Sequence, residues 1–112
     1  MDERYLKFIS SRQEPLRLSI ALEDFFLTET DPEARSAYGQ YLRRRLQPAA
    51  AMLVEADDTE RLAHLAEQGW FTLKLTDGLI RLAREKKKAA VLVWLLRWKG
   101  EQYGFPDRDF AL

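Results

Sequence analysis

Leu82-Ala83-Arg84-Glu85-Lys86-Lys87-Lys88-Ala89-Ala90-Val91-Leu92-Val93-Trp94-Leu95-Leu96 is the stretch on which the fold turns. A helical pattern ends in a run of charge, and a second, more apolar helix begins at once. Lys86 to Lys88 must be hydrated, so they form the turn between the two helices. Beyond the turn, Val91, Leu92, Val93, Trp94, Leu95, Leu96 and Trp98 leave mainly Arg97 for solvent. A helix that is apolar on every face has to be covered on more than one side. The expectation is therefore a central, doubly covered helix inside a layered molecule.

The same order of features occurs 30 residues earlier, with Glu55 laid on Glu85. The segment is Glu55-Ala56-Asp57-Asp58-Thr59-Glu60-Arg61-Leu62-Ala63-His64-Leu65-Ala66, in which Leu62 meets Leu92, Leu65 meets Leu95 and Ala66 meets Leu96. In both copies a charged turn separates two apolar helices, the signature of an internal repeat.

Outward from this core the chain reads as helices throughout. A first helix is expected over residues 3 to about 10, with Leu6 and Ile9 on one face. A second follows from Pro15 to about Leu27, with Leu18, Ala21, Leu22 and Phe25 at the spacing of a buried stripe. Thr30 and Glu33 have capping-box spacing around Pro32, which starts a third helix reaching about Leu46 and presenting Ala34, Tyr38, Tyr41 and Leu42. Pro48 ends that helix or opens a short fourth one over residues 49–55. Asp58 or Thr59 caps the fifth, which stops before Gly69, a natural left-handed residue after a helix. Trp70 to Leu75 are expected to pack down as a turn, Thr76 or Asp77 to cap the sixth helix, and the seventh to span residues 89 to about 101. The fold class that follows is all-α, a short array of antiparallel helical hairpins with about seven helices and no sheet. One domain is expected over residues 1–112: N-terminal helices over 1–46, two helical pairs over 47–101 and a docking tail over 102–112.

The two helical pairs resemble ankyrin repeats, whose period is close to the 30-residue offset, and are similar to ankyrin-like modules of uncharacterised bacterial proteins. The resemblance covers residues 46–99 and is carried chiefly by Leu82 to Lys88 and Val91 to Leu96. It implies an α-solenoid whose helix faces and inter-repeat turns form a rigid binding surface. Where an ankyrin repeat opens with Thr-Pro-Leu-His, this chain has Thr76-Asp77-Gly78-Leu79, and the connection from Gly69 to Thr76 has no room for the ankyrin β-hairpin finger.

Composition narrows the function. Hydrophobic residues are 46% and charged residues 32% of the 112, the balance of a globular chain. No cysteine is present, which removes disulfide frameworks and cysteine-rich zinc modules and fits a reducing, cytoplasmic setting. Lys plus Arg equals Asp plus Glu at 18 each, without the basic excess usual in a nucleic-acid-binding domain. The longest apolar run, Ala89 to Leu96, is far short of a membrane span, so no membrane partner is expected.

Chemistry finds little footing. His64 is the single histidine; Glu60 shares its helix face, and Asp57 and Asp58 lie just upstream, but a second histidine or a cysteine is lacking. There is no Gly-x-Ser-x-Gly elbow and no Gly-rich phosphate loop. No catalytic residue, metal site or cofactor is assigned, and the chain is read as a non-enzyme, with an enzyme of no recognisable site as the third-ranked reading. Two basic runs, Arg43-Arg44-Arg45 and Lys86-Lys87-Lys88, form the patch on which a weak nucleic-acid-binding reading rests. The helix after the second run offers Val and Trp where base readout needs polar side chains, so that reading ranks below protein binding. Aromatic residues crowd the last third of the chain, and Trp70, Trp98 and Tyr103 are the candidates for contact with another protein or with a second copy.

Overall fold

The computed structural model describes residues 3–104, and among these every regular element is an α-helix. The seven helices are α1 (Glu3–Ser10), α2 (Glu14–Asp24), α3 (Pro32–Arg44), α4 (Leu46–Glu55), α5 (Thr59–Ala66), α6 (Leu73–Glu85) and α7 (Ala89–Tyr103). None of them is long and apolar enough to cross a membrane. The chain divides into two compact units, Met1–Ala49 and Ala50–Leu112, with the boundary inside α4.

The first unit is organised by aromatic rings. α1 buries Phe8, and Leu6 and Ile9, the pair picked out by their spacing, lie on its exposed side. The Phe8 ring meets Tyr38 edge-on at 4.9 Å and Tyr41 at 5.1 Å, an arrangement that suits the ring quadrupoles. Arg17 lies over both Phe8 and Tyr41, 4.9 and 4.6 Å from the ring centres, and donates to the Phe8 carbonyl at 3.0 Å. α2 buries Leu18, Ile20, Ala21 and Leu22, while Phe25, at the end of the expected stripe, caps the helix and is half-buried. Gly39, inside α3, leaves room for the Phe25 ring: a Cβ there would stand 2.9 Å from Phe25 Cε1.

α3 does not start with the expected capping box. Asp31 is the cap, accepting from the amides of Glu33 and Ala34, and Thr30 instead donates its hydroxyl to the Asp24 carbonyl at 2.5 Å. Asp24 is itself buried, and Arg4 Nε donates to its Oδ2 at 2.7 Å. Such a carboxylate is tolerated only with its partner in place. α4 takes Pro48 into its first turn, where a missing amide costs nothing.

In the second unit the turns after α4 and after α6 share one geometry. Asp57 and Lys87 both adopt positive φ, 53° and 57°. Asp58 follows at φ −94°, ψ 83° and Lys88 at φ −94°, ψ 84°. The amides of Asp57 and Asp58 donate to the carbonyls of Val54 and Leu53, and those of Lys87 and Lys88 to Arg84 and Ala83, the bond pair of a Schellman motif. The 30-residue offset found in the sequence therefore holds in the hydrogen-bond pair and in these dihedral angles of both turns. Asp58 caps α5 through the Arg61 amide at 3.0 Å.

Two expectations are corrected in this unit. α6 begins at Leu73, capped by Thr72 accepting from the Leu75 amide at 3.1 Å, so Leu73 to Leu75 are helical and not part of a turn. Thr76 is buried inside that helix and returns its hydroxyl to the Thr72 carbonyl, which takes it out of any capping role. The second correction concerns α7, which is covered along one face and not on two. Val91 and Leu95 are fully buried, but Val93 is 59% and Leu96 39% exposed. α7 packs against α6 and α5, and Val91 and Leu95 are its buried residues. The tail expected over residues 102–112, one of the candidates to cover the other side along with the N-terminal helices and a partner chain, lies outside the described residues from residue 105 onward.

Candidate protein-binding cleft

The connection from α5 to α6 positions the cleft. Gly69, at φ 82°, supplies the left-handed step that ends the excursion after α5, and Phe71 then turns inward and is buried. Its ring meets Trp98 of α7 edge-on at 5.5 Å. Trp98 stacks on Trp94 at 6.1 Å, one turn back, and meets Tyr103 edge-on at 6.0 Å. The Tyr103 hydroxyl donates to the Phe71 carbonyl at 3.3 Å, which closes the ring of contacts.

Beside this cluster lies a half-open cleft of about 330 Å³, lined by Ala66, Glu67, Gly69, Phe71, Trp98, Gln102 and Tyr103. Its lining mixes three aromatic rings with Ala66, Gly69, Glu67 and Gln102, and Glu67 and Gln102 are exposed. Such a cleft accepts one apolar or aromatic side chain and offers that residue's polar neighbours a carboxylate and an amide. The rings that line it are held by one another, so little side-chain order remains to be lost on binding.

Two of the three contact candidates, Trp98 and Tyr103, are brought together here, and Tyr103 is 43% exposed. Trp70 is half-buried and does not line the cleft. Phe71 and Gln102 were not singled out from sequence. Phe71 could have been found from its neighbourhood, since one of two adjacent aromatics in a short connection is bound to point inward. Gln102 carries no such signal, because its role comes only from the turn of helix that separates it from Trp98.

The basic runs fall in different places. Arg43 and Arg44 are exposed in the last turn of α3, where cations suit the helix dipole. Arg45 is engaged: its Nε and Nη2 each lie 3.2 Å from the Glu14 carboxylate, and its guanidinium sits over the Tyr41 ring at 5.3 Å. Tyr41 donates its hydroxyl to the same carboxylate. Arg45 first and Tyr41 second hold the Glu14 carboxyl below the usual carboxylate range. Burial, and then the Glu14 carboxylate, push the Tyr41 hydroxyl up. Lys86, Lys87 and Lys88 form the turn before α7, with Lys86 Nζ 3.9 Å from Glu55. His64 is half-buried in α5, and the two aspartates upstream of it have structural duties: Asp58 caps α5 and Asp57 accepts from the Val91 amide.

Comparison of the chain with protein-family models, with curated proteins and with solved structures finds no match. The fold by itself defines an all-α protein, seven helices among the described residues.

Proposed function

We propose that the chain is a non-catalytic protein-interaction module of the helical-repeat class, an ankyrin-like stack of hairpins acting in the cytoplasm. The observation that carries this reading is the cleft beside Phe71, Trp98 and Tyr103. It is mounted on helices whose turns share one geometry at a 30-residue offset, as repeat modules hold their binding surfaces. The partner is another protein that presents a large apolar or aromatic side chain, with the aromatic wall as the centre of the contact.

A displayed library of random linear peptides, panned on the folded chain and counter-selected on Gln102→Arg, tests this. Gln102 is exposed, so the variant keeps the fold while placing a long cation in the cleft mouth. The expected result is a family of peptides sharing one aromatic position that bind the wild type and lose at least about tenfold on the variant. Peptides that bind both proteins alike, or no enrichment at all, overturn the reading.

A further inference from the structure

The repeat equivalence also marks a second surface, away from the cleft. On α5, Ala66 is 4% exposed and lines the cleft opposite Trp98 and Gln102, so this face of α5 is turned towards α7. The 30-residue offset carries Ala66 onto Leu96 and Ala63 onto Val93. On α7 the corresponding face is open: Ala89, Val93 and Leu96 are exposed and Gly100 is half-buried. These four follow one another at spacings of four, three and four residues, the seam along which a second helix packs. What the face lacks is therefore another helix, lying parallel to α7 as the next layer of the stack.

The turn that precedes α7 selects that helix by charge. Asp57 of the first turn accepts from an amide in the first turn of α7, whereas its repeat equivalent is Lys87, within a run of three lysines. A helix starting beside Lys87 would meet a cation at the positive end of its dipole unless its first turn is acidic. Among the described residues one helix has both an acidic first turn and two exposed large apolar residues on one face. This is α1, with Glu3 at its start and Leu6 and Ile9 43% and 52% exposed. Leu6 and Ile9 have the same three-residue spacing as Val93 and Leu96, and in that register Glu3 stands level with Ala90, in the first turn of α7 and two residues past Lys88.

We infer that the chain associates head to tail with a second copy of itself, α1 of one copy lying along Ala89, Val93, Leu96 and Gly100 of the next. The inference rests on the interaction-module reading but uses residues outside the cleft. The contact is heterologous: a dimer keeps one unused α1 face and one unused α7 face, so further copies add with rising concentration. The partner's nature follows from the same chemistry, an apolar stripe joined to an acidic end.

Sedimentation velocity of the full chain across the micromolar range tests it. The wild type is expected to shift to larger species as concentration rises, and to shift back with added salt as Glu3 and the lysines are screened. The head variant Leu6→Glu/Ile9→Glu and the tail variant Val93→Glu/Leu96→Glu are each expected to stay monomeric. An equimolar mixture of the two is expected to form a heterodimer and nothing larger, since only one intact head and one intact tail remain. All four positions are exposed, and circular dichroism checks that helicity is kept; Leu6→Ser/Ile9→Ser and Val93→Ser/Leu96→Ser replace any variant that unfolds. A wild type that stays monomeric, a single-face variant that assembles like the wild type, or a mixture that stays monomeric each overturns the inference. Gln102→Arg is expected to leave self-association unchanged, so failure of the cleft reading and failure of this one show up in different experiments.

Discussion

Asp57 Oδ1 accepts the backbone amide of Val91 at 3.0 Å, across 34 residues of sequence. α5 is capped by its own Asp58, but the repeat equivalent of Asp58 is Lys88, which has no acceptor to offer. Asp57, from the preceding turn, supplies the cap that α7 lacks and ties the first turn to the second hairpin. It does so from a positive-φ position that aspartate tolerates better than most residues. Asp57→Ala should therefore lose the cap, worth about 1 kcal/mol, and add left-handed strain of about 1–2 kcal/mol. Asp57→Gly should cost only the cap, and Asp57→Asn much less than either. Lys88→Asp restores an internal cap, so it should raise stability and shrink the Asp57→Ala penalty in a double-mutant cycle by denaturant unfolding. Equal penalties in both backgrounds would mean that Asp57 acts elsewhere.

One-sided burial of α7 gives a sharp contrast between neighbours. Leu95 is fully buried, so Leu95→Ala should cost about 2–5 kcal/mol. Val93→Ala, two residues away on the open face, should change stability by less than about 0.5 kcal/mol. Urea midpoints measure both, and comparable losses would restore the doubly covered helix that the apolar run suggested.

The first unit stakes stability on one partly buried ion pair. Removing Arg4 leaves the Asp24 carboxylate, 6% exposed at its side chain, without the donor at 2.7 Å. Glu23, on the far side of the same guanidinium, is half exposed and matters less. Arg4→Met should cost about 1–3 kcal/mol, and Arg4→Met with Asp24→Leu less than Arg4→Met alone, because the stranded charge goes with its partner. Thermal unfolding of the two variants checks the order.

The helices were legible because their signals are local. Pro15, Pro32 and Pro48 each sit in a first turn, Gly69 is left-handed after α5, and the charged runs fall at turns, so the all-α class and most boundaries followed from spacing alone. Thr76-Asp77-Gly78 misled because the same residue types cap a helix or sit inside one, and only burial of Thr76 decides between them. The coverage of α7 misled for a related reason. Apolar periodicity reports what a helix could bury, whereas Val93 and Leu96 show that exposure depends on what is there to cover it. In the cleft, Trp98 and Tyr103 were found by type, but Phe71 and Gln102 join them only through contacts between distant segments. The pairing of Asp57 with Val91 was out of reach for the same reason.

Acid should act on the first unit through Glu14. Arg45 and Tyr41 lower its carboxyl in the folded chain, so folding favours the ionised form. A group depressed in this way contributes stability that is fully present above its unfolded value, about 4.3, and is lost as pH falls through the folded value. The melting temperatures of wild type and Glu14→Gln should therefore differ most near neutral pH, with the wild type higher. The gap should close only as pH drops below the ordinary carboxylate range. Added salt should narrow it at neutral pH, because Glu14 and Arg45 are both half exposed and screened by ions. A gap that stays constant from neutral pH into acid would assign the effect of Glu14 to its packing against Tyr41 and not to its charge.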